Sequence, residues 1–187
     1  MKKVIIDCDP GHDDALAILL AAGHLDVLGI TTVGGNQTLE KVTNNTLKIL
    51  ECAELTHIPV ARGMGEPLMA PRIDTSDIHG PDVHGTTGLD GPELPEPDIS
   101  IIASHGVDFI VDTVMSTNDV TLIPTGPLTN VASALRREPR IKDRLAGISL
   151  MGGNLAIGNV TATAEFNIYV DPLAAHIVFS SGVPVKM

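Results

Sequence analysis

Short, almost wholly apolar runs recur along this chain, separated by helix-like segments, and that rhythm constrains the fold more than any other feature. Val4-Ile5-Ile6, Val27–Val33, Ile58–Ala61, Val120–Pro124, Gly147–Met151 and Val183–Lys186 read as strands. Asp14–Ala22, Ser104–Met115, Leu128–Leu135 and Pro172–Phe179 read as helices. Another helix follows a capping Thr38 and runs to about Ala53, with Leu39, Val42, Leu47, Ile49 and Leu50 as an imperfect apolar stripe. Strands apolar on both faces and joined by helices pack as a mostly parallel sheet covered on both sides. The expected fold is therefore α/β and doubly wound.

Two segments break the rhythm. Gly63 to Ser100 holds Pro67, Pro71, Pro81, Pro92, Pro95 and Pro97 with many glycines, so it reads as loop, and it contains His79 and His84. Gly152 to Asn167 follows a strand and carries Asn154, Asn159, Glu165 and Asn167. In an open α/β sheet, ligands bind beyond the carboxyl ends of the strands, which is where both segments fall.

At that same edge, directly after the first strand, stands Asp7-Cys8-Asp9-Pro10-Gly11-His12-Asp13-Asp14. Carboxylates this close repel one another unless a cation or hydrogen-bond donors compensate. The plain reading, acids at a helix N-terminus, accounts for Asp13 and Asp14. It leaves Asp7 and Asp9, which lean to the same side of a strand because side chains alternate. The Pro10-Gly11 turn brings Asp13 and Asp14 toward the same point. All-oxygen clusters suit hard cations such as Ca²⁺ or Mg²⁺. Asp9 and Asp14 are candidate ligands, joined by the backbone carbonyl of Thr125 at the end of Val120–Pro124. A cation there would polarise water, and a carboxylate beside that water could take its proton.

Composition narrows the partners. Of 187 residues, 43% are hydrophobic and 19% charged, as in an ordinary globular protein. A net charge of −11 disfavours nucleic acid and anionic membranes. No segment approaches the ~20 apolar residues of a membrane span. Cys8 and Cys52 offer no disulfide framework, so a cytoplasmic location is expected.

The acidic motif resembles the N-terminal signature of the inosine-uridine nucleoside hydrolase family, an apolar strand followed by Asp-x-Asp-Pro-Gly-x-Asp-Asp. The resemblance continues, in the family's order, at Gly35-Asn36-Gln37-Thr38, Val83-His84-Gly85 with Gly88-Leu89-Asp90-Gly91, and Pro124-Thr125-Gly126-Pro127-Leu128-Thr129-Asn130. Met151-Gly152-Gly153, Gly158-Asn159 and Ala164 to Pro172 complete it. It implies a Ca²⁺ held by Asp9, Asp14 and the Thr125 carbonyl, with Asp9 as the base that activates water, Asn36 close to that water and Asp7 in support. It further implies that Asp13, Met151, Asn159, Glu165 and Asn167 contact a ribose, and amides and carboxylates do match its hydroxyls. His84 is implied near the nucleobase, with the similar Ile78-His79-Gly80 unit as the alternative register. Phe166 either stacks on the base or joins the core. His12 sits where the family varies.

The implied reaction is hydrolysis of a ribonucleoside to ribose and free base, a salvage activity, in a homo-oligomer (dimer or tetramer). Family members are longer, and a segment carrying a further Asp and usually a His of the site lies past the position of Met187. Residues 1–187 are accordingly expected to form a single α/β domain, the N-terminal portion of a longer one, with weak or no activity alone. Two alternatives stand beside this reading. One is a family member that binds metal or ribose without turnover. The other is a haloacid-dehalogenase-like phosphatase with Asp7 as nucleophile, although Gly11 replaces the Thr or Val usual in that motif.

Overall fold

The computed structural model describes residues 1–69 and 81–187, so His79 lies outside the described residues. The strands are β1 (Lys3–Cys8), β2 (Asp26–Thr32), β3 (Val60–Arg62), β4 (Val120–Pro124), β5 (Leu145–Ser149) and β6 (Val185–Lys186). The helices are α1 (His12–His24), α2 (Leu39–Cys52), α3 (Pro81–His84), α4 (Gly106–Ser116), α5 (Thr129–Arg137), α6 (Phe166–Val170) and α7 (Pro172–Phe179), with a 3₁₀ turn at Pro139–Asp143. Among the described residues the strands form one sheet in the order β3-β2-β1-β4-β5-β6, every pairing parallel.

Alternation along β1 divides the core. Ile5 packs with Val107, Ile110, Leu122, Val131 and Val178 beneath α4, α5 and α7. Ile6 and Cys8 point the other way, onto Ile18 of α1, Ile30 of β2 and Leu50 of α2. Fully burying a side chain such as Ile5 contributes about 1.5–3 kcal/mol relative to exposure. Helices thus lie on both faces, as the doubly wound expectation requires.

Local chemistry sets the helix limits. The Thr38 hydroxyl accepts from Lys41 N at 3.5 Å and opens α2. Asp171 caps α7, accepting from Ala174 N at 2.9 Å, and Pro172 follows where its missing N–H costs nothing. Helix α1 begins two residues before the expected Asp14, because the chain leaves its extended form at Gly11. Three departures concern the loops and β5. The Gly63–Ser100 stretch contains α3, and α6 starts at Phe166, inside the expected Gly152–Asn167 loop. Both helices are too short to show a periodic pattern. Strand β5 runs two residues earlier than Gly147–Met151. Gly147 sits inside it because a Cβ there would meet the Pro184 carbonyl of the β5–β6 connection at 3.1 Å.

From β1 the chain steps outward through β2 to β3, then returns to β4 on the other side of β1. The loops leaving β1 and β4 therefore diverge and open a crevice at their carboxyl ends. Asp9 follows β1 and Thr125 follows β4, one on each side of it. On the α1 side of the sheet, Thr121 and Ile123 of β4 and Ala146 and Ser149 of β5 line a separate hollow of ≈ 720 Å³. It contains no convergent carboxylates.

Candidate active site

Asp7 and Asp9 flank the end of β1, each 1% exposed, and they have different surroundings. Asp7 Oδ1 accepts from the Thr31 hydroxyl at 2.5 Å and from Asn130 Nδ2 at 2.7 Å. Its Oδ2 is buried with no hydrogen-bond partner among the described residues. Burial, with the Asp14 charge as a lesser contribution, pushes the Asp7 carboxyl up to about 7 against those two hydrogen bonds. Asp9 Oδ2 accepts from the Asn36 backbone N–H at 2.6 Å, and Asn36 Nδ2 donates to the Asp9 carbonyl at 3.1 Å. Burial and then the Asp14 charge drive Asp9 well above the ordinary carboxylate range.

Two glycines permit the position of Asp9. A Cβ on Gly126 would lie 2.5 Å from Asp9 Oδ1, and one on Gly35 would collide with Oδ2. Both residues are needed for close approach. Asp14, in the first turn of α1, is buried and raised to about 6 by that burial, while the Thr125 hydroxyl bonds its carboxylate and pulls the other way. The favourable end of the helix dipole faces the same acids.

Asp9, Asp14 and Thr125 open onto a smaller hollow of ≈ 220 Å³. Its wall continues through Asp13, Asn36, Val83 and His84 on one side, and Met151, Asn159, Glu165, Phe166 and Asn167 on the other. Every residue singled out in the sequence as a ligand, base or sugar contact lines this cavity, except Asp7. Asp7 is not part of its wall. That counts against Asp7 as a nucleophile, which the phosphatase alternative requires.

Several wall residues also hold the loops in place. Glu165 caps α6, its carboxylate accepting from Asn167 N at 3.0 Å and from Gly153 N at 2.9 Å. Asn159 Oδ1 accepts from Phe166 N at 2.9 Å. Asn167 Nδ2 donates to the Thr125 carbonyl at 2.8 Å and to the Met151 carbonyl at 3.1 Å. Phe166 is 5% exposed, so it belongs to the core as well as to the wall. His84 lies against the acidic motif, with its Nε2 3.8 Å from Asp13 Oδ1. The Gly88-Leu89-Asp90-Gly91 block locks that loop. Asp90 accepts from Thr86 N at 2.8 Å and Thr87 N at 3.0 Å, and the Thr87 hydroxyl and those amides lower it to about 2. Asn45 Nδ2 then ties Thr87 O to Pro10 O, at 2.9 and 3.2 Å.

The donor set fits a hard dication. Asp9 and Asp14 supply carboxylate oxygens and Thr125 a carbonyl, the Asp7 oxygen left without a partner among the described residues lies at the end of the same strand, and no Lys or Arg among the described residues lines the cavity. Among the described residues, no three His, Cys, Asp or Glu side chains converge as a ligand set, so the fit rests on two carboxylates and a carbonyl.

Comparison with known proteins identifies the lineage. Residues 4–187 match the model of the inosine-uridine preferring nucleoside hydrolases. The chain belongs to that family. It is similar to the pyrimidine-specific ribonucleoside hydrolase RihB of Escherichia coli K12, 48% identical over 189 aligned positions, which span 100% of this chain and 58% of RihB. Among solved structures it resembles a purine-preferring ribonucleoside hydrolase from Gardnerella vaginalis, with TM-score 0.90 and 38% identity over 98% of this chain and 59% of that one. A plant nucleoside hydrolase, PpNRh1, gives TM-score 0.89 and 37% identity over 98% and 58% of the two chains. The chain thus spans well under two thirds of the relatives it matches.

Sequence reasoning missed two contributors. Asn130, noted only as part of a motif, is the residue that holds Asp7, and it also accepts from Met64 N at 2.8 Å. Thr31 hides in a β-branched strand whose alternation gave the one available signal.

Proposed function

We propose that this chain carries the catalytic centre of a Ca²⁺-dependent ribonucleoside hydrolase, which splits the N-glycosidic bond to give ribose and a free base. One observation carries the reading. A buried carboxylate, Asp9, with no Lys or Arg among the described residues of its cavity, opens onto a wall of the amides and carboxylates a sugar needs.

Asp9, Asp14 and the Thr125 carbonyl would hold the ion. When bound, a dication supplies charge that lowers the pKa of water and orients it. Asp9 takes the proton of that water, and the Asn36 backbone N–H, already on Asp9 Oδ2, keeps the carboxylate aimed. The water oxygen attacks the anomeric carbon opposite the base, and the C–N bond breaks with its electron pair going to the leaving base, whose nitrogen takes a proton from solvent while Asp9 returns its own to solvent. Direct attack inverts the anomeric centre. Positive charge grows on the sugar in the transition state, and hydrogen bonds from ribose hydroxyls to Asp13, Asn159, Glu165 and Asn167 strengthen with it. His84 lies on the base side. The relatives include a pyrimidine-specific and a purine-preferring hydrolase, and the proposed substrate class is a ribonucleoside of either kind.

Ribose release from inosine and uridine, measured with a reducing-sugar assay in Ca²⁺ and again in chelator, tests the proposal. Release in Ca²⁺ that chelator and Asp9→Asn both abolish supports it. Release that survives Asp9→Asn overturns the assignment of the base, and metal binding without release supports the non-catalytic alternative. A homo-oligomeric state belongs to the same proposal and is read by native mass spectrometry.

A further inference from the structure

We infer that Asn167 is a positioning residue for the Thr125 carbonyl, fixing the direction in which that oxygen meets the ion; this rests on the proposed Ca²⁺ reading of the site. Asn167 Nδ2 lies 2.8 Å from the Thr125 carbonyl and 3.1 Å from the Met151 carbonyl. Carbonyl oxygens only accept, so the amide nitrogen faces both of them, and each of its two hydrogens is committed to one. The Met151 sulfur closes the same side at 3.2 Å. Among the described residues, this is the one hydrogen bond that the Thr125 carbonyl receives.

The peptide between Thr125 and Gly126 needs such a hold. Its other edge is the Gly126 N–H, which reaches the Asp7 carbonyl only at 3.4 Å. Position 126 is a glycine because a Cβ there would lie 2.5 Å from Asp9 Oδ1, and glycine restricts its own backbone least. Asn167 grips the opposite edge, so the plane of the peptide is pinned from both sides. Asn167 is itself held: it is buried in the first turn of α6, and its backbone N donates to the two Glu165 oxygens at 3.0 and 3.1 Å. A carbonyl oxygen has two lone pairs. One takes the Asn167 hydrogen, and the other is left for a cation in the cavity that Thr125 lines with Asp9 and Asp14. The Asn167 amide oxygen remains for a ribose hydroxyl, so one side chain touches both the sugar and the oxygen that would hold the ion.

The test compares the full chain as wild type, Asn167→Leu and Asn167→Ala, without nucleoside. Leucine fills the space of the amide and donates nothing, whereas alanine leaves a space in which a water can donate to the two carbonyls. In a calorimetric titration, Ca²⁺ affinity should fall by about 10- to 100-fold in Asn167→Leu, the usual cost of losing a group that orients a ligand, and by a smaller factor in Asn167→Ala. A role in packing alone predicts the reverse order, because the void left by alanine costs more than a leucine of similar volume. The second readout needs no ion. In chelator, the ¹³C signal of the Thr125 carbonyl reports the hydrogen bond it accepts, and it should move upfield in Asn167→Leu. Thermal melts in chelator show whether each variant is folded; if Asn167→Leu is not, Asn167→Ala decides, and wild-type values in both readouts overturn the inference. Equal Ca²⁺ affinity in all three chains, an Asn167→Leu that binds more tightly than Asn167→Ala, or an unmoved ¹³C signal overturns the inference and leaves the Ca²⁺ reading standing. A wild type that binds no Ca²⁺ overturns that reading and this inference with it.

Discussion

Asn130 Nδ2 donates a 2.7 Å hydrogen bond to Asp7 Oδ1 across 123 residues of sequence, joining the end of β1 to the first turn of α5. The same amide nitrogen reaches the Thr32 carbonyl at 3.0 Å, so one side chain binds two strands and a helix at the crevice floor. Asp7 does not line the cavity, and both hydrogen bonds to its carboxylate fall on one oxygen, Oδ1.

Removing that link should cost stability before it costs chemistry. Asn130→Ala strips a buried carboxylate of one of its two partners and leaves Met64 N without its own, while Thr32 O keeps Gly63 N. A loss of about 1–3 kcal/mol is expected. It is read as a lower urea midpoint at unchanged m-value. An unaltered midpoint would show that water replaces the amide at no cost.

Stability should fall as pH rises from about 5 to 8 in the presence of chelator. Asp7 and Asp14 are raised to about 7 and about 6, and Asp9 moves in the same direction. An unfolded carboxylate titrates near 3.9, so between roughly pH 4 and 7 the folded chain binds more protons than the unfolded one. The slope of unfolding free energy with pH is then negative. This contribution is fully present below about pH 4 and disappears as pH passes the raised values. Asp90 and Glu138, both lowered to about 2, act only under more acid conditions. Thermal melts across this range check the sign, and Ca²⁺ added at pH 8 should restore the melting temperature. A Tm that climbs with pH in chelator would contradict the account.

Gly126→Ala should damage the site more than the fold. Its Cβ would fall 2.5 Å from Asp9 Oδ1 and 2.9 Å from Val33 Cγ1, so the carboxylate has to move. The expectation is a Ca²⁺ affinity lower by about 10-fold or more, by analogy with displaced ligand-orienting groups. Calorimetric titration of the two proteins measures it. Equal affinity would mean that the Asp9 position is not what the ion requires.

Asp9→Asn should leave the melting temperature in chelator the same or higher, because a neutral amide avoids the cost of burying a charge. Ribose release should drop by about 10²–10⁴-fold, the usual contribution of a general base. A stable variant with near-normal turnover would remove Asp9 from that role.

Much of this was legible in the residues. Strand β4 and helix α7 fall on their expected limits because punctuation marks them: Pro124 and Gly126 end the first, and Asp171 with Pro172 opens the second. The wall of the cavity was legible too, since its residues sit in short motifs that each carry their own polar chemistry. What escaped notice is what distance in sequence hides. Nothing near Asp7 announces Asn130, and Asn159 and Glu165, read as sugar contacts, also serve as backbone caps, a role that depends on where α6 begins. The contact between His12 and His84 spans 72 residues and needed the loop geometry to emerge.

The place of β1 in the sheet has a kinetic consequence. Its neighbour β2 lies close behind it in the chain, whereas β2 ends at Thr32 and β4 does not begin until Val120. As the chain leaves a ribosome, β1 can pair with β2, and Asp7 can meet Thr31, long before Asn130 or Thr125 has been made. Closing the β1–β4 seam is a nonlocal step of the slow kind. Until it closes, the acids at the end of β1 remain wet and the crevice has one bank. Competence for binding is therefore acquired late and all at once, when the second bank docks.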